Sequence, residues 1–159
     1  AIDALDAGAG FVTGHLHSRS PDPIVRAAYS AWSALRYVRS SPSSAGFYGL
    51  SEAGRGRWGE FPEGLPDDKF ARLHFRPDER MLLQGSSYSI IGATSIGGLI
   101  RDRRRYRASS RELSLQRPDL HVNDLPREAG LSHFARHPRL WLGAFALFAS
   151  ELVARTPVR

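Results

Sequence analysis

The feature that most constrains the fold is a capped amphipathic helix that directly follows a strand-like segment. Asp22-Pro23 supplies an N-cap carboxylate and a first-turn proline, a typical helix start. An apolar stripe then recurs at 3.6-residue spacing, and its members are Ile24, Ala28, Ala31, Leu35 and Val38. Residues 11–17 alternate loosely between two faces, which is typical of a strand. This order predicts a chain of the α/β class.

Further elements follow along the chain. They are predicted, in order, as a short strand at 47–50, helices from Ser51 and Asp67, strands at 81–83 and 88–91, and a helix from Ser95. The last element, 140–155, is apolar around most of its circumference. It carries large side chains on one face, namely Trp141, Phe145, Phe148 and Leu152. We therefore expect a mixed sheet with flanking helices that ends in an apolar helix.

Composition removes several classes of protein. The chain has 159 residues, 42% of them hydrophobic, which is enough for one ordinary core. It has no cysteine, so disulfide frameworks, cysteine zinc sites and thiolate catalysis are excluded. No uninterrupted apolar run reaches the roughly 18 residues of a spanning helix, and the first residues lack the pattern of a signal peptide.

The positive charge is concentrated in one segment. The formal net charge is +6, and residues 101–111 carry six arginines against Asp102. Such a run fits a solvated face, a stripe that binds nucleic acid, or a clamp for a diphosphate, because guanidinium groups bind phosphate oxygens in pairs. If the segment is helical, Arg101, Arg104 and Arg105 share one face.

Two acidic residues are candidates for catalysis. Asp67-Asp68 follows a loop rich in turn residues and begins a helix, where carboxylates are favoured by the helix dipole alone. A carboxylate fixed at such a junction also suits a general base. His15 and His17 share one side of a strand, but no further ligand residue completes a metal set near them, so we interpret them as structural.

Taken in order, these segments resemble the C-terminal half of a family 2 glycosyltransferase of the GT-A type. The similarity runs through most of the chain up to about Leu120. It rests on residues 10–14, the helix with Tyr29 and Trp32, residues 45–55, Phe61-Pro62, residues 66–70 with Arg72 and Phe75, and residues 95–107 with 111–113. The order of these segments is more specific than any single one.

The resemblance implies roles for particular residues. Asp67-Asp68 is similar to the acidic pair of these enzymes, so Asp68 is expected to be the general base and Asp67 to support it. Arg105-Tyr106 stands where processive members carry Arg-Trp, but Asp102 replaces their glutamine, which argues against a processive synthase. The resemblance also implies that Arg101, Arg104 and Arg105 contact the donor diphosphate. It implies that Gly46, Phe47 and Tyr48 line the acceptor side.

The implied reaction is inverting transfer of a sugar from a nucleoside diphosphate to an acceptor hydroxyl. Mg²⁺ or Mn²⁺ is the expected cofactor, but its ligands are not expected in this chain, since Asp3 and Asp6 do not have the family's Asp-x-Asp spacing. We expect residues 1–120 to be the acceptor-side portion of the transferase, a fragment that is inactive alone, and residues 121–159 to be a linker and the apolar helix.

The expected partners are a nucleotide sugar and a glycan or lipid acceptor, with nucleic acid disfavoured. A bacterial, cytoplasmic setting is expected, with the inner face of the cell membrane as the alternative. For the last helix, packing against a larger protein and lying in a membrane interface remain equally open, the latter because Trp141 is flanked by Arg136, Arg139 and Arg155. Two other functions also remain open: an arginine-rich module that binds nucleic acid or another polyanion, and a catalytically inactive scaffold relative.

Overall fold

The computed structural model describes residues 1–40, 42, 46–124 and 131–156. Its helices are α1 Ile2–Asp6, α2 Pro23–Ser33, α3 Arg36–Ser40, α4 Glu52–Arg55, α5 Asp67–Leu73, α6 Ile96–Gln116, α7 Leu131–Ala135 and α8 Trp141–Arg155. The strands are β1 Phe11–Arg19, β2 Gly49–Leu50 and β3 Arg80–Ile91, and short 3-10 turns occupy Pro77–Glu79, Pro118–Asn123 and Pro138–Leu140.

The three strands form one mixed sheet in the order β2-β1-β3. β1 and β2 are antiparallel, with Phe11 opposite Leu50. The Gly10 N–H donates to the Glu79 carbonyl before the strands, and the Gly92 N–H donates to the Arg19 carbonyl after them. Because the starts of β1 and β3 are joined by the first bond and their ends by the second, the two strands run in the same direction and are parallel.

Contacts divide the chain into two compact units, which are described separately. The first unit contains Ala1–Leu16, Ser41–Tyr88 and Ala108–Pro126, and the second contains His17–Ser40, Ser89–Arg107 and Arg127–Arg159. This division follows spatial contacts. The predicted boundary at residue 120 separates a transferase portion from a linker and helix, and it stays a prediction.

The core of the first unit is built on aromatic side chains. Phe11 and Phe75 are fully buried and their ring centroids are 5.8 Å apart. A Cβ at Gly54 would lie 2.8 Å from the Phe75 ring and 2.9 Å from the Gly10 carbonyl, so only glycine allows this close approach. A neighbouring cluster joins α5 to the end of α6 through Phe70, Leu73, Leu113 and Leu120.

The core of the second unit is the contact of α2 with α8. Its buried residues are mostly small, and they are Val25, Ala28, Ala31, Leu35, Ala93, Leu99, Phe134, Ala144, Ala146 and Leu147. A Cβ placed on Gly143 would lie 2.1 Å from the Ala27 carbonyl oxygen. The two backbones can therefore approach closely only because Gly143 has no side chain.

The structure confirms the predicted α/β class, the mixed sheet and the flanking helices. The Asp22 carboxylate caps α2 by accepting the Ile24 and Val25 N–H groups, as its position before Pro23 predicted. The prediction of separate strands at 81–83 and 88–91 was wrong, because β3 is continuous and Gly85 adopts a φ of +76° within it. Within the described residues, no helix is both long and apolar enough to cross a membrane.

We predict that Gly143→Ala lowers the free energy of unfolding by about 2 kcal/mol, the cost of overpacking a tight contact. The clash involves a backbone carbonyl, which cannot move as a flexible side chain can. Chemical denaturation measures the change. The control is Gly97→Ala in α6, where the new methyl group would meet the end of the Arg101 side chain at 3.8 Å, and this variant should be at least as stable as the original chain. Equal stability of both variants would contradict the tight α2–α8 contact.

Candidate active site

The predicted acidic pair begins helix α5 in the first unit. Pro66 precedes the helix and gives it no side-chain cap, and the two carboxylates bond to nearby backbone amides instead. Asp67 Oδ1 accepts the Asp68 N–H at 2.9 Å, and Asp68 Oδ1 accepts the Lys69 N–H at 2.7 Å. Asp67 is exposed at the start of the helix, whereas Asp68 is half-buried. The two neighbours therefore occupy different environments.

The Asp68 carboxylate lies beside two further residues of the predicted site. The Gly46 backbone N–H favours its charged form, and the Asp68 charge acts on the Tyr48 hydroxyl. Gly46 has a φ of +77°, a conformation that favours glycine. The sequence therefore identified residues from two distant segments that meet in the fold.

Burial raises the pKa of Asp68 above its ordinary value, and the neighbouring Asp67 charge adds to the effect. The Lys69 and Gly46 amides and the Arg72 charge oppose this shift without cancelling it. A carboxylate with a raised pKa is a stronger base than a solvated one. Asp68 is thus poised to accept a proton from a hydroxyl group placed against it.

Tyr48 is held by the core of the first unit. Its ring stacks on Phe11, with centroids 5.3 Å apart and planes inclined by 15°. Burial raises the pKa of the Tyr48 hydroxyl, and Asp67 and Asp68 raise it further, while Arg55 acts in the opposite direction. The hydroxyl therefore stays protonated and can donate a hydrogen bond at neutral pH.

Phe47, the third predicted lining residue, has a different environment. Its ring is exposed and packs against Tyr88 at a centroid distance of 4.9 Å. Its carbonyl accepts the Thr13 hydroxyl at 2.7 Å, which ties this loop to β1. Phe47 therefore positions the segment through its backbone, and its side chain offers an apolar surface.

A charged cluster that the sequence analysis missed fixes α5. Asp124 pairs with Lys69 at 3.4 Å and with Arg72 at 3.2 Å, and Lys69 is buried. Burial opposes ionisation of Asp124, but Arg72 and Lys69 outweigh it and keep its pKa below the usual range. Asp124 lies 52 positions after Arg72, so no local spacing could have revealed the pair.

Arg80 reinforces this attachment. Its buried guanidinium donates to the Phe75 carbonyl and, at 2.5 Å, to the Asn123 carbonyl, while the Asn123 amide donates to the Leu73 carbonyl at 2.9 Å. Burial lowers the pKa of Arg80 to about 10, which leaves it charged at neutral pH. These bonds and the Asp124 pairs hold α5 from Lys69, next to Asp68 in the first turn, to its C-terminal end.

A cavity of about 360 Å³ lies in the same unit. Asp68 is not part of its lining, which consists of Arg57, Trp58, Gly59, Glu60, Pro62, Leu65, Phe70, Gln116 and Arg117. The Trp58 ring contacts the rings of Phe61, Phe70, His74 and Phe75, and the Arg55 guanidinium lies 5.3 Å from its centroid. Trp58 thus lines the cavity and forms a cation–π contact with Arg55, a pair that the sequence analysis did not assign.

The three predicted diphosphate contacts lie on α6 in the second unit. Arg101 and Arg105 are exposed, and Arg105 pairs with Asp102 at 3.7 Å. The Arg104 guanidinium donates to the Val153 carbonyl at 3.1 Å, so it holds the end of α8. The predicted helical face is therefore divided between solvent and a structural contact.

Two other arginines of the run also serve α8. Arg103 and Arg107 pair with the Glu151 carboxylate at 3.1 and 2.6 Å. Burial opposes ionisation of Glu151, but these two arginines keep its pKa below the usual range. Much of the local charge that dominates the sequence thus attaches α8 to α6.

The resemblance implies a divalent metal whose ligands are not expected in this chain. In the described parts of the chain, no group of three or more histidine, aspartate or glutamate side chains lies close enough to hold a metal ion. Asp67 and Asp68 alone do not make such a set. The described residues therefore do not form a complete Mg²⁺ or Mn²⁺ site.

Comparison with known proteins adds no assignment. No family model, curated protein or solved structure matches this chain.

We predict that Asp124→Asn lowers the free energy of unfolding by about 3 kcal/mol at pH 7, because it leaves the buried Lys69 ammonium without its carboxylate. The low folded pKa of Asp124 means that its contribution is present above the unfolded pKa and is lost as the pH falls through the folded value. The difference from the original chain should therefore disappear in acid. Urea titrations over a pH series measure it, and an unchanged stability at pH 7 would contradict the role of this pair.

Asp68→Asn should show the opposite trend. Since the folded pKa of Asp68 is raised, its protonated form favours folding at low pH, and this advantage is lost as the pH rises from the unfolded to the folded pKa. The amide oxygen of the substituted side chain can still accept the Lys69 N–H. At pH 7 the variant should be at least as stable as the original chain in the same urea titrations. Marked destabilisation at pH 7 alone would show that the charged carboxylate stabilises the fold.

Proposed function

We propose that this chain forms the acceptor side of an inverting glycosyltransferase of the GT-A type. Such an enzyme moves a sugar from a nucleoside diphosphate to an acceptor hydroxyl. The observation that carries the proposal is the half-buried Asp68 carboxylate, which accepts the Lys69 N–H and whose charge acts on the Tyr48 hydroxyl. The mixed sheet with flanking helices is compatible with part of that fold.

In the proposed reaction, Asp68 accepts the proton of the acceptor hydroxyl while that oxygen attacks the anomeric carbon. The bond from the anomeric carbon to the diphosphate oxygen breaks, and the diphosphate leaves with the electron pair. Burial makes Asp68 a stronger base, and its hydrogen bond from the Lys69 N–H fixes the direction of the carboxylate. Tyr48 has its proton at neutral pH and is suited to orient the acceptor.

The contacts to the donor remain part of the proposal. Arg101 and Arg105 are exposed on α6, where Arg105 pairs with Asp102, and guanidinium groups suit the oxygens of a diphosphate. Arg104 is less suited, since it already donates to the Val153 carbonyl. A nucleotide sugar as donor and a glycan or lipid as acceptor are the proposed partners, and the cytoplasmic side of the membrane is the proposed location.

The alternative of a polyanion-binding module rests on the same arginine run. Three of its members, Arg103, Arg104 and Arg107, make contacts with α8. A continuous phosphate-binding stripe needs several cations directed away from the protein. The transferase is therefore our first proposal. The assay described next distinguishes an active transferase from a catalytically inactive relative.

The test uses the protein encoded by the complete reading frame that contains this chain, with radiolabelled uridine and guanosine diphosphate hexoses as donors and a glycan and polyprenyl phosphate panel as acceptors. We expect sugar transfer, and Asp68→Asn should lower kcat by about 10²–10⁴-fold with unchanged nucleotide affinity. Calorimetric titration with the free nucleoside diphosphate measures that affinity.

The matched control is Asp78→Asn in the same unit. Asp78 is exposed and pairs with Arg76, so this variant should retain full activity. Undiminished turnover in Asp68→Asn would exclude Asp68 as the base. Absence of transfer with every donor and acceptor, combined with absence of nucleotide binding, would favour the inactive relative.

A further inference from the structure

The last helix leaves a continuous apolar surface uncovered. We define the outer face of α8 as six large side chains at helical spacing, each at least 43% exposed: Trp141, Leu142, Phe145, Phe148, Leu152 and Val153. Soluble proteins seldom expose so many large apolar side chains together unless the patch binds something.

The opposite side of α8 already supplies the core of the second unit. Gly143, Ala144, Leu147 and Ala154 are buried there, and Ala144 and Leu147 pack in the cluster that contains α2. The outer face contacts that unit through Phe134, whose carbonyl accepts the Trp141 indole N–H and whose ring packs on Phe148. Both sides of the helix are apolar, and Leu142, Phe145 and Leu152 on the outer face are at least 65% exposed.

Positive charges lie at both ends of this outer face. Arg136 and Arg139 are exposed just before α8, and Arg155 is 60% exposed at its C-terminal end. Glu151 is the one acidic residue between positions 131 and 156. Its carboxylate pairs with Arg103, Arg107 and Arg155, so its negative charge is balanced.

We propose that the outer face of α8 docks on an anionic phospholipid surface. The helix lies in the plane of the interface, with Phe145 and Leu152 inserted among the acyl chains. Arg139 and Arg155 contact the phosphate groups at either end, and Trp141 sits at the boundary between the headgroups and the apolar region. This interaction is independent of the proposed transferase activity.

The charges favour this occupant over a second copy of the chain. In an antiparallel pairing of two outer faces, Arg139 of one copy would meet Arg155 of the other. In a parallel pairing, each arginine would meet its own equivalent. Either arrangement brings like charges together, and Glu151 is already engaged by arginines of its own chain. An anionic lipid surface supplies the missing negative charge.

The first experiment is sedimentation of the full chain with vesicles of phosphatidylcholine containing phosphatidylglycerol. We expect the original chain to sediment with them, and Phe145→Ser combined with Leu152→Ser should weaken partitioning at least tenfold, because it removes inserted apolar area. The matched control is Ile91→Ser, which removes an 85% exposed apolar side chain from β3 and should leave partitioning unchanged. Circular dichroism melts confirm that each variant is folded.

The second experiment isolates the charge. Arg139→Gln combined with Arg155→Gln should weaken binding to these vesicles by about fivefold for each arginine, and binding to pure phosphatidylcholine should be weak for all variants. Arg76→Gln combined with Arg111→Gln removes the same charge outside α8 and should have little effect.

The proposal would be overturned if the original chain stayed in the supernatant with anionic vesicles, or if the two α8 variants bound as well as the original chain. It would also be overturned if the original chain formed a dimer that the serine variant separates, while vesicles bound neither protein.

Discussion

The ion pairs of Asp124 with Lys69 and Arg72 are the interaction on which the candidate site depends. They join the chain that follows α6 to helix α5, and α5 carries Asp68 in its first turn. A buried lysine is unfavourable without a partner, so the carboxylate and the helix must assemble together. The Arg80 bonds to the Phe75 and Asn123 carbonyls close the same junction. The catalytic candidate is thus positioned by charges that lie outside its own segment.

The sequence predicted those elements whose signals are local. Asp22 caps α2 as predicted, the short helix expected from Ser51 forms with Ser51 as its N-cap, and the β1 segment forms the strand that its alternation predicted. The predictions failed where longer-range pairing decides the outcome. Gly85 marks a break in the sequence of β3, yet pairing with β1 carries the strand through it. Gly85 allows several backbone conformations, and the pairing of β3 with β1 determines that the chain continues as a strand.

The candidate site shows the same division. Asp68, Gly46 and Tyr48 could be chosen from the order of motifs, and they do lie together. The contribution of Asp124 was not predictable, because an isolated aspartate in a polar connection has no pattern that indicates a buried cationic partner. Arg55 and Trp58 were equally hidden, since their contact with each other arises from the loop that follows α4. Residue types can suggest chemistry, but the groups that tune and fix them come from the tertiary structure.

The arginine run shows why net charge is a weak guide to partners. Its local excess of positive charge suggests a polyanion, but Glu151 takes two of its guanidinium groups and the Val153 carbonyl takes a third. The same pairing changes the character of α8, whose one carboxylate is balanced by arginines. What remains on the outside of that helix is apolar surface between Arg139 and Arg155. The arginines of α6 neutralise the carboxylate of α8, and this favours an anionic partner for the outer face of α8.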